Sequence, residues 1–187
     1  MENNITNIFR DELNPYERIV WQGQPQQGFL LRSSDAFAIP FSLLWCGFAL
    51  FWEWSVVSGG APFFFMLWGI PFVVVGIYIV IGRFFYDKQK RDGTYYALTN
   101  ERVIIISGLF TQTTRSLDIK NIPEINISTN ENGRGTITFG SPAPMGWFYS
   151  GSGFPTRSRY NAPPCFELIE NAKIVYNHIK RLQREDN

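Results

Sequence analysis

The sequence predicts an α+β membrane protein in which a transmembrane helical hairpin precedes a small antiparallel β-barrel or sheet closed by a C-terminal helix. Three observations lead there. Residues Ala36–Gly82 hold one charge, Glu53, while the other 140 of the 187 residues hold 32 of the 33 charges. Beyond residue 92, short apolar–polar alternations are separated by turn residues. The last segment places Val175, Ile179 and Leu182 at helical spacing. At about 150 residues per domain the length allows one or two domains. A net charge of +1 gives no electrostatic reason to expect a nucleic-acid partner.

Each half of the uncharged region reads as one span. Ala36–Val57 and Ala61–Gly82 are each 17 apolar residues in 22. As helices they are about 33 Å long at about 1.5 Å per residue, enough for a hydrocarbon core about 30 Å thick. Ser58-Gly59-Gly60 supplies the turn, and Pro62 suits the first turn of the second helix. A buried hairpin of a soluble protein is the bland alternative. Helices apolar on every face need cover all round, which the remaining 140 residues cannot provide twice. A secretory leader fits poorly, because residues 1–35 are polar and the first apolar run starts late.

Arg18 and Arg32 precede the spans, and Arg83, Lys88, Lys90 and Arg91 follow them; the connecting turn has no Lys or Arg. The positive-inside rule then puts both termini in the cytoplasm. Trp52 and Trp54 fall where an interfacial aromatic belt belongs, with Glu53 solvated beside them at the outer interface. Pro71 is expected to kink the second span. The division is residues 1–35, a cytoplasmic N-terminal segment; 36–82, the hairpin (36–57 and 61–82); and 92–187, the cytoplasmic β-domain.

In the N-terminal segment, Ile5–Leu13 has weak helical character and ends at Asn14-Pro15. Arg18–Gln22 is β-prone, free to pair with the later sheet or to lie along the membrane. Strands follow at Thr94–Thr99 and Arg102–Ser107, joined by Asn100-Glu101, then at Thr113–Ile119 and Glu124–Thr129. Asn132-Gly133 marks a hairpin turn into Gly135–Gly140. Cys165–Ile169 reads as a final strand, and Asn171 as the cap of a helix to about Arg184.

Tyr96-Ala-Leu-Thr-Asn-Glu-Arg-Val-Ile-Ile-Ile-Ser-Gly-Leu-Phe110 resembles the opening of bacterial pleckstrin-homology-like (PH-like) membrane proteins. Cys165-Phe-Glu-Leu-Ile169 with Val175–Leu182 resembles their ending, and Glu17–Pro25 the segment that precedes their membrane hairpin. The likeness runs from about residue 15 to 183. It implies a PH-like fold of bent antiparallel strands with a C-terminal helix over one open end, in a bacterial inner-membrane protein. It implies no catalytic residues.

The residues bring no catalytic or cofactor motif. His178 stands alone on the final helix, and Gly151-Ser-Gly153 lacks the Lys and the strand–loop–helix setting of a phosphate loop. Cys46 falls within the first span and Cys165 in the cytoplasmic part, so no disulfide is expected, and neither has a metal-ligand neighbour. No catalytic residue, cofactor or metal is therefore assigned. The turn Thr99-Asn100-Glu101-Arg102 has one cation beside an acid, where a phosphate cradle needs several cations or free N–H groups. Arg102 is expected to pack or pair on the sheet edge.

Two sets of side chains remain as contact candidates. Trp147, Phe148, Tyr149, Phe154, Arg157 and Arg159 lie in the Gly/Pro-rich segment 141–164, and such residues are favoured at interface hot spots. Their bland reading is cover for the sheet edge. Arg83, Lys88, Lys90 and Arg91 face the membrane surface, where each cation contributes up to about 1 kcal/mol toward anionic lipid. The expected function is a membrane-tethered PH-like interaction module that docks a protein partner, or its own copies, at the inner face. The alternatives are a lipid-sensing module and an accessory subunit of a membrane transporter or enzyme.

Overall fold

The structure is a computed structural model that describes residues 7–30, 35–109, 111–141 and 163–185. These form two compact units: one from residues 29–30 and 35–88, the other from 7–28, 89–141 and 163–185.

The first unit is a pair of apolar helices. Helix α1 spans Asp35–Ser58; α2 spans Phe63–Ile77 and runs through a π turn, Tyr78–Gly82, into α3, Arg83–Asp92. Gly60, with φ of 63°, completes the turn between α1 and α2. Pro62 takes the position just before the first turn of α2. The buried residues of α1 are Asp35, Ser42 and Ala49, and those of α2 are Gly69 and Gly76. Both sets repeat every seven residues, so each lines one stripe, as in a coiled-coil seam. Small side chains let the backbones come close. A Cβ on Gly76 would lie 3.1 Å from Cys46 Cα. The large side chains point outward, with Phe37 75% exposed, Trp54 73% and Phe63 75%.

The helix does not stop at residue 82 as the sequence predicts. No Gly or Pro interrupts it until Gly93, whose N–H still bonds Gln89 O at 3.3 Å. The irregular turn falls at Tyr78–Gly82, well beyond Pro71. There Gly82 leaves room for the Tyr78 ring, which a Cβ would meet at 2.7 Å.

The second unit holds two antiparallel sheets. Strands β1 (Ile19–Gly23), β2 (Tyr95–Thr99), β3 (Arg102–Ser107) and β4 (Thr113–Asp118) pair in sequence order. Strands β5 (Ile125–Thr129), β6 (Gly135–Phe139) and β7 (Cys165–Ile169) form the second sheet, and helix α4 (Ala172–Glu185) follows. Arg18–Gln22 thus contributes to the later sheet: Ile19 opposes Thr99 and Gly23 opposes Tyr96. The expected barrel does not close among the described residues. A 3-10 turn, Ile119–Asn121, and then Pro123, which has no N–H to pair, separate β4 from β5.

The main core joins alternate residues Tyr96, Leu98, Val103 and Ile105 of the first sheet to Ile137, Phe139, Phe166 and Ile169 of the second and to Val175 and Ile179 of α4. Phe166 is its aromatic centre, 4.8 Å from the Tyr96 ring and 5.1 Å from Phe139. The opposite face of the first sheet, Ala97, Ile104 and Ile106, is covered by Phe9. That second cover explains why Val103-Ile-Ile-Ile106 is continuously apolar, the pattern of a strand buried on both faces. Asn171 begins α4 in a left-handed conformation, φ 51°, and its carbonyl accepts from Ile174 and Val175 N–H.

Candidate functional site

The β2–β3 turn is built around Thr99, which is fully buried. Its hydroxyl accepts from Arg102 N–H at 2.9 Å and Glu101 N–H at 3.2 Å, closing the turn. Its one proton has two acceptors in reach, Glu17 Oε1 at 2.7 Å and the Arg102 carbonyl at 2.9 Å. The charged carboxylate is the stronger. Arg102 donates from Nε to Glu17 Oε1 at 2.9 Å and from Nη2 to Oε2 at 3.0 Å, and from Nη1 to Ser116 Oγ at 3.1 Å. Asn14 N–H adds a bond to Glu17 Oε2 at 2.8 Å. Asn100 binds the backbone of Arg18 in both directions, at 2.7 and 3.1 Å.

These contacts set the charges. Burial alone would raise the Glu17 carboxyl, but hydrogen bonds from Arg102, the Asn14 N–H and Thr99 outweigh it and hold it below its ordinary value. The bond to Glu17 raises Arg102 in turn, against the opposing effect of burial. The turn is therefore a clamp on the N-terminal segment, and its one cation is already committed to a carboxylate.

Of the four cations after the second apolar run, two are buried. Arg83 pairs with Asp35, Nη1 to Oδ1 at 3.1 Å. Arg91 donates to the Gln26 and Gly28 carbonyls, both at 2.6 Å. Lys88 and Lys90 are half-buried, and the Lys88 ammonium lies 5.5 Å from the Phe29 ring centre. Sequence reading counted Arg83 with the surface cations. Its signal was positional: an acid just before the first apolar run and a base just after the second meet when the helices pair antiparallel. Glu53 is half-exposed, with Oε2 buried against Gly69 and without a hydrogen-bond partner.

Trp147, Phe148, Tyr149, Phe154, Arg157 and Arg159 lie outside the described residues. The described surface offers β4, an edge strand with Thr113, Thr114, Ser116 and Asp118 exposed. It also offers a shallow concavity of about 630 Å³ along α4, lined by Tyr176, Asn177, Lys180, Arg181, Gln183 and Arg184. Among the described residues no three His, Cys, Asp or Glu side chains are grouped to hold a metal ion. Both cysteines are free thiols.

The family model of the bacterial PH domain matches residues 39–183. The chain belongs to this family. No curated protein and no solved structure matches it. The matched stretch of this bacterial PH domain includes α1 from Ile39 onward, the second apolar helix and strands β2 to β7. It omits Phe9, Glu17 and β1, which the structure nevertheless builds into the same unit as those strands. A PH-like domain points to an interaction module, and such domains are generally non-catalytic.

Proposed function

We propose that the chain is a membrane-anchored interaction module of the bacterial inner membrane. In this reading α1 and the helix from Phe63 cross the bilayer as a hairpin with both termini cytoplasmic, and the PH-like unit docks a protein partner or a second copy at the inner face. One observation carries it. The apolar windows of the two helices are only 17% and 11% buried, whereas the core helix of a soluble protein is mostly buried. In water such a surface drives aggregation; in lipid it needs no cover, and a helix satisfies its own backbone. The distribution of Arg and Lys supports the orientation.

The anchor confines the domain to a thin layer and so raises its effective concentration toward membrane partners. The aromatic and Arg residues at 147–159 and the open edge of β4 are the contact surfaces this reading assigns. The test is a C-terminal tag on the full-length protein in its native cells, with crosslinking and purification in mild detergent. A discrete protein that co-purifies, and is lost when Trp147, Phe148 and Tyr149 are changed to Ala, is the expected result. Recovery of the protein with lipid alone would overturn docking to another protein, and the absence of a crosslinked second copy as well would overturn docking altogether.

A further inference from the structure

Arg83 is the first residue of α3, and its side chain is 4% exposed. A guanidinium has five N–H donors, and buried donors need acceptors. Nη1 is taken by Asp35. Nε and Nη2 are buried with no hydrogen-bond partner among the described residues. These two nitrogens share one edge of the guanidinium plane, where their N–H bonds run parallel. That edge is the fork that grips two oxygens of a phosphate or carboxylate at once. Asp35 thus holds the far corner of Arg83 and leaves its bidentate edge buried without a partner.

Against the guanidinium face the surroundings are apolar. The guanidinium carbon lies 4.6 Å from the centre of the Phe84 ring. Phe84 also lines a groove of about 360 Å³ with Phe29, Leu30, Val80, Ile81 and Phe85. The Lys88 ammonium stands over Phe29 in the same lining. One aromatic ring is therefore shared by a guanidinium with an unpartnered oxyanion fork and by a hydrocarbon groove. A ligand that fits both is amphiphilic, with a phosphate at one end and an alkyl chain at the other.

We infer that Arg83 and this groove bind one membrane phospholipid, its phosphate on the Nε/Nη2 fork and an acyl chain along Val80, Ile81 and Phe84. The site rests on the membrane placement proposed above, which sets Arg83 just past the apolar run, at headgroup depth.

The test is native mass spectrometry of the full-length protein in mild detergent, with phosphatidylglycerol, diacylglycerol and inorganic phosphate added in separate arms. One phosphatidylglycerol adduct is expected on the unmodified protein. Arg83→Lys keeps the charge but removes the fork. Ile81→Trp fills the groove. Each should lower adduct occupancy about tenfold, the loss expected for one charge-assisted hydrogen bond or a blocked chain site. Lys180→Gln, on α4, should leave it unchanged. If Arg83→Lys fails to fold, Ile81→Trp decides. No adduct on the unmodified protein, or one that persists in the folded variants, overturns the site. Equal binding of diacylglycerol removes the role of the phosphate, and displacement by inorganic phosphate removes the role of the chain; either result overturns it. Alkaline extraction of membranes reads the placement separately. Protein that stays in the pellet but takes no lipid loses this site alone, and protein released to the supernatant loses both.

Discussion

Arg102 holds both oxygens of Glu17, Nε to Oε1 at 2.9 Å and Nη2 to Oε2 at 3.0 Å. Glu17 comes before the two apolar helices in the chain and Arg102 after them, so the pair joins parts of the PH-like unit that the sequence separates. The Glu17 side chain is fully buried while Arg102 keeps 22% exposure. The turn Thr99-Asn-Glu-Arg102, part of the stretch that resembles PH-like proteins, is in physical terms the receptor for this carboxylate and for the Arg18 backbone.

Because the folded state lowers the Glu17 pKa from its ordinary 4.5, it stabilises the fold fully above that value. The contribution is lost as pH falls from 4.5 through the lowered pKa. Thermal unfolding of the full-length protein in detergent should show this acid loss. Glu17→Gln should flatten that part of the profile and cost about 2–3 kcal/mol at neutral pH, less than a wholly buried pair because water still reaches Arg102. An unchanged acid profile in Glu17→Gln would show that other carboxylates govern it.

Phe9 is fully buried on the second face of the first sheet. Phe9→Ala should cost about 3–5 kcal/mol, the range for a buried aromatic. A fragment of residues 92–187 lacks both Phe9 and β1, leaving Ala97, Ile104 and Ile106 uncovered. It should aggregate or bind a hydrophobic dye. Joining residues 7–28 to 89–187 through a flexible linker should restore cooperative unfolding.

The two seam glycines should respond differently. A Cβ at Gly76 meets the Cys46 backbone at 3.1 Å, which yields only if the helices separate. At Gly69 the obstacle is the tip of the Glu53 side chain, which can swing aside. Gly76→Ala should destabilise the helix pair by about 1–3 kcal/mol, as overpacking does. Gly69→Ala should cost less. Thermal stability in matched detergent ranks them, and the reverse order would reject the seam.

Glu53 has one oxygen with no hydrogen-bond partner to lose. Glu53→Gln should therefore leave membrane yield and partner capture within the small range of ordinary surface changes, about 0.5 kcal/mol. Loss of activity or capture in that variant would move function into the helices, as an accessory subunit of a transporter or enzyme requires.

What was legible in the sequence was local. The β2–β3 hairpin could be read because its turn and both strands fall within thirteen residues, and β6 because Asn132-Gly133 sets the turn before it. Gly133 indeed has φ of 74°. The apolar helices showed in composition alone. The missed features depend on residues far apart in the chain. Nothing near Phe9 announces that it covers Ile104, and nothing near Asp35 announces Arg83. The continuous run Val103–Ile106 did signal a second buried face, but not what covered it. Among the described residues the barrel stays open at the corner Ile119–Pro123, which the sequence shows only as the connection between the expected strands Thr113–Ile119 and Glu124–Thr129.

The discontinuity of the PH-like unit governs the order in which the molecule can be made. Strand β1 leaves the ribosome while its partner β2, more than seventy residues later, is not yet translated. Closing so long a loop costs chain entropy. The Asp35–Arg83 pair brings the two ends of the intervening helices together and so shortens the loop that β1–β2 pairing must close. Biogenesis then follows chain order: both helices are synthesised before β2, and the domain can be finished only after they have been made. An intact domain is in that sense a report that translation has already passed through its helices.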